Sequence, residues 1–178
     1  MEDGVLSTPR LILRHWNDED APDLFRMAAD PGVGETAGWA SHSSVEDSLS
    51  AIRTILSGPG VLAIASRVTG RPVGCIELDR DPKILRKGPR DASVSYWIGI
   101  DHWNRGYATE ALEAVLDHAF STGVSKVWAQ SREDNPPSIR VLEKCGFSFD
   151  HRGVFENVYG EEVVALVYRI SRKDRQKR

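Results

Sequence analysis

The sequence predicts a mixed α/β domain, a sheet covered by helices in an α+β three-layer arrangement. Three observations predict it. Apolar spacing alternates between strand and helix periods in the order β, α, α, β, β, β, α, β, α, β, β. Residues 93–120 pass from a β-branched and aromatic strand, through a Gly-containing turn, into an amphipathic helix. Residues 135–146 carry both ends of a helix, with Asn135-Pro136 to start it and Cys145-Gly146 to stop it.

Taken in order, residues 10–16 (RLILRHW) read as the first strand. Asn17 or Asp18 then caps a short helix carrying Ala21, Leu24, Phe25 and Ala28, which stops before Pro31. Residues 32–42 follow as a long, Gly-rich loop holding Trp39 and His42. Loops of that length are often functional, although a Trp or His in one is more often a packing residue. Ser43 or Ser44 caps a second helix with Val45, Leu49, Ile52, Ile55 and Leu56 on its apolar side, ending near Gly58-Pro59. Strands 61–67 and 72–79 are joined through Thr69-Gly70, a hairpin signal. Residues 81–90, with Lys83, Arg86, Lys87 and Arg90, form a basic solvated connection.

The chain is organised around residues 93–120. Tyr96, Trp97, Ile98 and Ile100 suit a strand interior. From Ala108 the pattern is helical, with Leu112, Val115, Leu116, Ala119 and Phe120 on one face and Glu110, Glu113 and Asp117 on the other. Between them lie Asn104, Arg105, Gly106, Tyr107, Ala108 and Thr109. The first N–H groups of a helix lack intrahelical partners and sit at the positive end of the macrodipole. A strand-to-helix turn of low bulk can therefore receive a phosphate on its backbone, and Arg105 adds a full charge nearby. An ordinary βα connection, with Gly106 only permitting a tight turn, explains the same residues. The stretch alone leaves both open.

Residues 126–131 read as a further strand, and 147–155 with 163–170 as a closing antiparallel pair around 157–161. The last eight residues, SRKDRQKR, are basic without an apolar face and are expected to be disordered, leaving 1–170 as one domain.

Composition narrows the classes. The 178 residues suit a full-sized core, and 40% hydrophobic with 28% charged content is ordinary for a globular protein. A formal net charge of -3 argues against a dedicated nucleic-acid binder. No apolar run is long enough to span a bilayer, and the first ten residues do not read as a secretory signal. Cys75 and Cys145 stand far apart in apolar surroundings, which suits neither a disulfide framework nor a metal-ligand spacing, so no metal is expected. The expected setting is cytoplasmic, and a homodimer is left open.

Three motifs, in this order and spacing, carry a resemblance over about residues 8–170. They are Thr8-Pro9-Arg10-Leu11-Ile12-Leu13-Arg14; Tyr96-Trp97-Ile98 followed by Trp103-Asn104-Arg105-Gly106-Tyr107-Ala108-Thr109-Glu110-Ala111; and Asn135-Pro136-Pro137-Ser138 with Val141-Leu142-Glu143-Lys144-Cys145-Gly146-Phe147. On these the chain resembles the GNAT superfamily of acyl-CoA-dependent N-acetyltransferases, most closely the RimJ/RimL branch that acetylates protein N-termini. The resemblance implies a mostly antiparallel sheet with a splayed central strand pair and helices on both faces. It implies that Asn104, Arg105, Gly106, Tyr107, Ala108 and Thr109 wrap the coenzyme A pyrophosphate. It implies that Trp97 and Ile98 border the pantetheine arm, that Asn135 bonds to the acetyl-CoA arm, and that Ser138 lies near the thioester sulfur. Asn135 is explained equally well as a helix cap, and Ser138 as an ordinary third helical residue.

Acetyl transfer to an amine needs a neutral amine, a polarised carbonyl and a proton for the departing thiolate. Many family members place an acidic Tyr seven residues after the Asn; here that position is Leu142. Ser138 is the expected substitute, as a hydrogen-bond donor to sulfur. Relatives that carry a Glu base are matched here by Gln130 and Ser93. Asp91 and Glu77 are nearby carboxylates that could relay through water, though each reads more simply as a solvated charge. The expected acceptor is a protein or peptide α-amino group, bound between the 32–42 loop and the 157–161 turn. The alternatives are a small-molecule amine (amino acid, polyamine or aminoglycoside), or a coenzyme-binding module without turnover. A ribosome- or RNA-associated role would rest on Arg172, Lys173, Arg175, Lys177 and Arg178, a tail that more commonly only aids solubility.

Overall fold

The computed structural model describes residues 5–37, 39–82, 85, 88–156 and 160–176. Its strands are β1 (Leu6–Ser7), β2 (Leu11–Arg14), β3 (Val61–Ser66), β4 (Pro72–Asp79), β5 (Asp91–Ile98), β6 (Lys126–Arg132), β7 (Ser148–Glu156) and β8 (Glu162–Ser171). Its helices are α1 (Ala21–Ala28), α2 (Pro31–Ala37), α3 (Val45–Arg53), α4 (Tyr107–Ser121), α5 (Pro136–Lys144) and α6 (Arg172–Arg175). The strands form one eight-stranded mixed sheet in the order β1-β2-β3-β4-β5-β6-β8-β7. Pairing is antiparallel for β1–β2, β2–β3, β3–β4, β6–β8 and β7–β8, and parallel for β5–β6. The mixed, mostly antiparallel α/β architecture is the one expected. The β5–β6 ladder runs only from Asp91↔Lys126 to Ser93↔Trp128, although β5 continues to Ile98 and β6 to Arg132.

The chain divides into two compact units, Met1–Glu77 with Tyr96–Ala114, and Leu78–Ser95 with Val115–Arg178. In the first, Leu11 and Leu13 of β2 are fully buried with half-buried Ile12 between them, whereas β3 around Ile64 is buried on both faces. A second cluster gathers Trp16, Leu24, Met27, Ala28, Ile52, Val61, Ala63 and Cys75. The approach to α1 is fixed by a capping box, in which Asn17 opens a 3-10 turn over Asp18–Asp20 and Asp20 answers the Asn17 backbone. Asp20 also takes a two-pronged ion pair from Arg14, at 2.6 and 2.8 Å. Ser44 is the residue that caps α3, accepting from Asp47 N. The helix ends at Arg53, and Ile55, expected on its apolar side, is 77% exposed.

One expectation fails here. Most of the anticipated 32–42 loop is helical, because α2 occupies Pro31–Ala37. Proline is favoured in a first helical turn, and Val33 of this helix is buried. Gly34, one of the glycines that suggested a loop, serves close packing: a Cβ there would lie 2.5 Å from the Trp39 carbonyl oxygen. Tertiary packing thus outweighs the roughly 1 kcal/mol that each helical glycine costs.

In the second unit β6 pairs with β8 from Lys126↔Ser171 to Arg132↔Ala165, and β7 closes the sheet with a register shift between Phe149 and His151. Trp128, Leu116, Leu142 and Ile170 are its largest fully buried side chains. The expected disorder of the tail is also corrected over residues 171–176. Ser171 caps α6 with a capping box, Arg172 Nη2 donates to the carbonyls of Phe120 and Val124, and Arg175 pairs with Asp117 at 2.8 Å. Basic residues at the end of α4 meet the carbonyl pole of that helix, a partner no local pattern shows. The expected basic side chains Lys83, Arg86 and Lys87, the turn residues 157–159, and Lys177 and Arg178 lie outside the described residues.

Candidate active site

The turn before α4 takes its shape from two left-handed residues. Asn104 has φ 58° and Gly106 φ 77°. Asn is among the few side chains that tolerate this region, and Gly adopts it without penalty. Asn104, Arg105 and Gly106 are all exposed. The first helical bond of α4 is donated by Glu110 N to Gly106 O at 3.0 Å, so the N–H groups of Tyr107, Ala108 and Thr109 precede the intrahelical ladder. The turn is open and stands at the start of a fifteen-residue helix.

Behind the turn stands a network that the sequence reading did not find. Glu110 Oε1 accepts from the Thr8 hydroxyl (2.5 Å) and from Arg10 N (2.9 Å), and its Oε2 accepts from Arg10 Nε (2.6 Å). Arg10 Nη1 donates to the Arg105 carbonyl at 2.9 Å, and the guanidinium lies 4.9 Å from the Tyr107 ring centroid. Burial pushes the Glu110 carboxyl up, but the donors from Thr8 and Arg10 outweigh it and hold it below the usual glutamate range. Helical periodicity alone placed Glu110 on the solvent face. The available signal was the pairing of Thr8-Pro9-Arg10 with Glu110 across a hundred residues, which spacing rules do not reach.

Trp97 and Ile98 end β5. Gly74 of β4 lets this strand pass close by, since a Cβ on it would lie 2.3 Å from Trp97 O. The Ile98 carbonyl accepts from Trp103 Nε1 at 2.7 Å. The Trp97 ring stacks 6.4 Å from Trp16 and meets Trp39 edge-on at 5.7 Å, while Trp39 lies 5.5 Å from the His42 ring. His42 contacts Ser48 Oγ through Nδ1 at 2.8 Å, and burial holds its pKa below the ordinary imidazole value. Trp39 and His42 therefore do pack, as their residue types suggested. The thiol of Cys75 is pushed up to about 12 by burial, which excludes it as a nucleophile near neutral pH.

In the second unit, Asn135 is the N-cap of α5, its Oδ1 accepting from Ser138 N at 3.2 Å. Both residues are half-buried. Leu142, where the family pattern has an acidic Tyr, is fully buried and offers only a core side chain. An open hollow of about 460 Å³ adjoins this segment, lined by Arg132, Glu133, Asp134, Val163 and Val164. Asp91 is not the solvated strand-end charge expected. It is 6% exposed and accepts from Trp128 Nε1 at 2.9 Å, so a structural bond occupies it. Glu77 is half-buried on β4, Ser93 half-buried on β5, and Gln130 exposed on β6. The first unit thus brings together Trp97, Ile98 and the 104–109 turn, and the second Asn135 with Ser138. Among the described residues no cluster of His, Cys, Asp and Glu could hold a metal ion, and no helix is long and apolar enough to cross a membrane.

A family model described as "Acetyltransferase (GNAT) domain" matches residues 10–148. The Bacillus subtilis (strain 168) protein named "Uncharacterized N-acetyltransferase YoaA" is 32% identical over 149 residues, covering 80% of this chain and 82% of that protein. Among solved structures, a Vibrio cholerae protein provisionally named a ribosomal-protein-serine acetyltransferase superposes with a TM-score of 0.78 at 21% identity, covering 95% of this chain and 98% of the other. The aminoglycoside acetyltransferase AAC(6′)-Ib in complex with coenzyme A superposes with a TM-score of 0.71 at 17% identity, covering 93% and 96%. At these identities the two structures speak for the fold.

Proposed function

The chain belongs to the acetyltransferase (GNAT) family and is an N-acetyltransferase; from that premise we propose that it takes its acetyl group from acetyl-CoA and passes it to a primary amine, best read as a protein or peptide α-amino group. The observation that carries the donor assignment is the left-handed turn at Asn104 and Gly106, exposed and leading directly into the first turn of α4. This chain's residues fit a coenzyme diphosphate. Gly106 gives the turn its left-handed backbone, the first-turn N–H groups supply donors, and the helix dipole and Arg105 supply positive potential. The Thr8–Arg14 and Tyr96–Ala111 motifs, which resemble the RimJ/RimL branch, favour the α-amino acceptor and a cytoplasmic setting.

The coenzyme when bound supplies an activated thioester. On the family resemblance, Trp97 and Ile98 border its arm, while Asn135 and Ser138 attend the reacting end. Asn135 Oδ1 is committed to its cap, so its side-chain N–H₂ is the group left to donate to the ligand. Ser138, in the first turn of α5, donates a hydrogen bond toward sulfur, with the positive helix end favouring the departing thiolate. Leu142 cannot deliver a proton, so the leaving group is stabilised before it is protonated. With Asp91 held by Trp128, the amine gives up its proton to water, directly or by way of Glu77.

The test measures coenzyme A binding by calorimetry and thiol release from acetyl-CoA with peptides varied at residue one, polyamines, amino acids and aminoglycosides. Turnover on peptides supports the reading in full. Turnover confined to free amines would move the acceptor class, and binding without turnover across the panel would make the protein a coenzyme-binding module. Absence of coenzyme binding would overturn the proposal.

A further inference from the structure

Arg10 sits outside every segment that the family resemblance ties to the coenzyme, yet its guanidinium is spent on the turn. It is half-exposed, and an exposed arginine ordinarily contributes little through one surface ion pair. Here it makes three separate engagements. Nε bonds Glu110 Oε2 at 2.6 Å, Nη1 bonds Arg105 O at 2.9 Å, and the plane lies 4.9 Å from the Tyr107 ring centroid. Nη2 stands behind Gly106, 3.5 Å from where a Cβ would be.

The bond to Arg105 O has a directional consequence. A trans peptide is planar, with its C=O and the following N–H antiparallel. Holding the Arg105 carbonyl on the Arg10 side therefore points the Gly106 N–H the opposite way, off the open face of the turn. That peptide would otherwise turn about the Arg105 and Gly106 backbone bonds, and Gly106, left-handed and without a Cβ, hinders the rotation least. Charge is the second consequence. Glu110 is the acidic residue in the first turn of α4, and its lowered pKa keeps it ionised. A bare carboxylate there would oppose an incoming diphosphate; paired with Arg10 it does not.

We propose that Arg10 is a positioning residue for coenzyme binding, one that aims the Gly106 amide at the diphosphate and neutralises Glu110 beneath it. The inference rests on the coenzyme reading above. Its test compares coenzyme A dissociation constants for the wild type, Arg10→Ala and Arg10→Lys, each corrected for the folded fraction measured without ligand. It adds the ¹⁵N–¹H response of Gly106 to coenzyme A, and KM for acetyl-CoA against kcat once an acceptor is in hand. The expected result is at least tenfold weaker binding for Arg10→Ala, a lost or displaced Gly106 response, and a raised KM with kcat at saturation within about twofold. Arg10→Lys, which keeps the charge but cannot serve Glu110 and Arg105 O together, falls between, about threefold weaker. If Arg10→Ala fails to fold, Arg10→Lys carries the test alone. Wild-type affinity in Arg10→Ala, full affinity in Arg10→Lys, or a loss that vanishes on correction for folded fraction would each overturn the inference. Failure of the wild type to bind coenzyme A would instead overturn the reading on which it rests.

Discussion

Glu110 shows how a single residue can be read correctly by type and wrongly by position. Its spacing put it opposite the apolar stripe of α4, yet it accepts hydrogen bonds from Thr8 and from the Arg10 backbone and side chain. Its depressed pKa makes it a stability term. Because the folded value lies below the unfolded one, the contribution is complete above the ordinary glutamate range and disappears as pH falls through the folded value. Glu110→Gln should therefore lower the melting temperature at pH 7 and flatten its fall between about pH 5 and 3. A wild-type-like slope in melting curves across that range would contradict the assignment. Asp20 is buried, 5% exposed, and takes both prongs of the Arg14 guanidinium. Asp20→Ala leaves Arg14 with no carboxylate and Asn17 N without its acceptor, and should cost about 3 kcal/mol in urea unfolding.

Among the elements, strands and caps were legible and glycines were not. β3, β4, β6 and α5 lie within a residue or two of expectation, because strand-forming runs, turn chemistry and caps are local signals. A glycine signals only a missing Cβ, and the fold decides its use. Gly106 uses it for a left-handed φ of 77°, whereas Gly34 and Gly74 use it for contact with a neighbouring carbonyl. Gly74→Ala should accordingly cost more than the helix or strand propensity of alanine suggests. Its Cβ would meet the Trp97 carbonyl and Ile98 Cα as well as Ile98 Cδ1, and the backbone atoms cannot swing aside, forcing β5 away from β4 near Trp97. We expect a loss of about 2 kcal/mol in chemical denaturation, with altered Trp fluorescence from the Trp16–Trp97–Trp39 group. An unchanged midpoint and spectrum would show that β5 passes elsewhere.

For the whole molecule, the telling segment is the last one. A basic run without an apolar face reads as a solvated tail, but Arg172 and Arg175 find carbonyls and a carboxylate on α4 and its exit. Truncation after Ser171 should lower the melting temperature by several degrees, at about 2–4 °C per kcal/mol for a chain of this size. A melting temperature unchanged by the truncation would mean that α6 adds nothing.

What the sequence determined by itself is whatever depends on near neighbours: the mixed α/β class, the strand-turn-helix over 93–120, the caps of α3 and α5, and the motifs that resemble one acetyltransferase family. Tertiary structure alone decided that Arg10 and Glu110 meet a hundred residues apart, that Asp91 is closed off by Trp128, that α2 is a helix and that α6 packs against the end of α4. The reason is physical. Periodicity and capping act over one or two turns of chain, whereas a hydrogen-bond partner or a close backbone approach exists only once distant segments have been packed together.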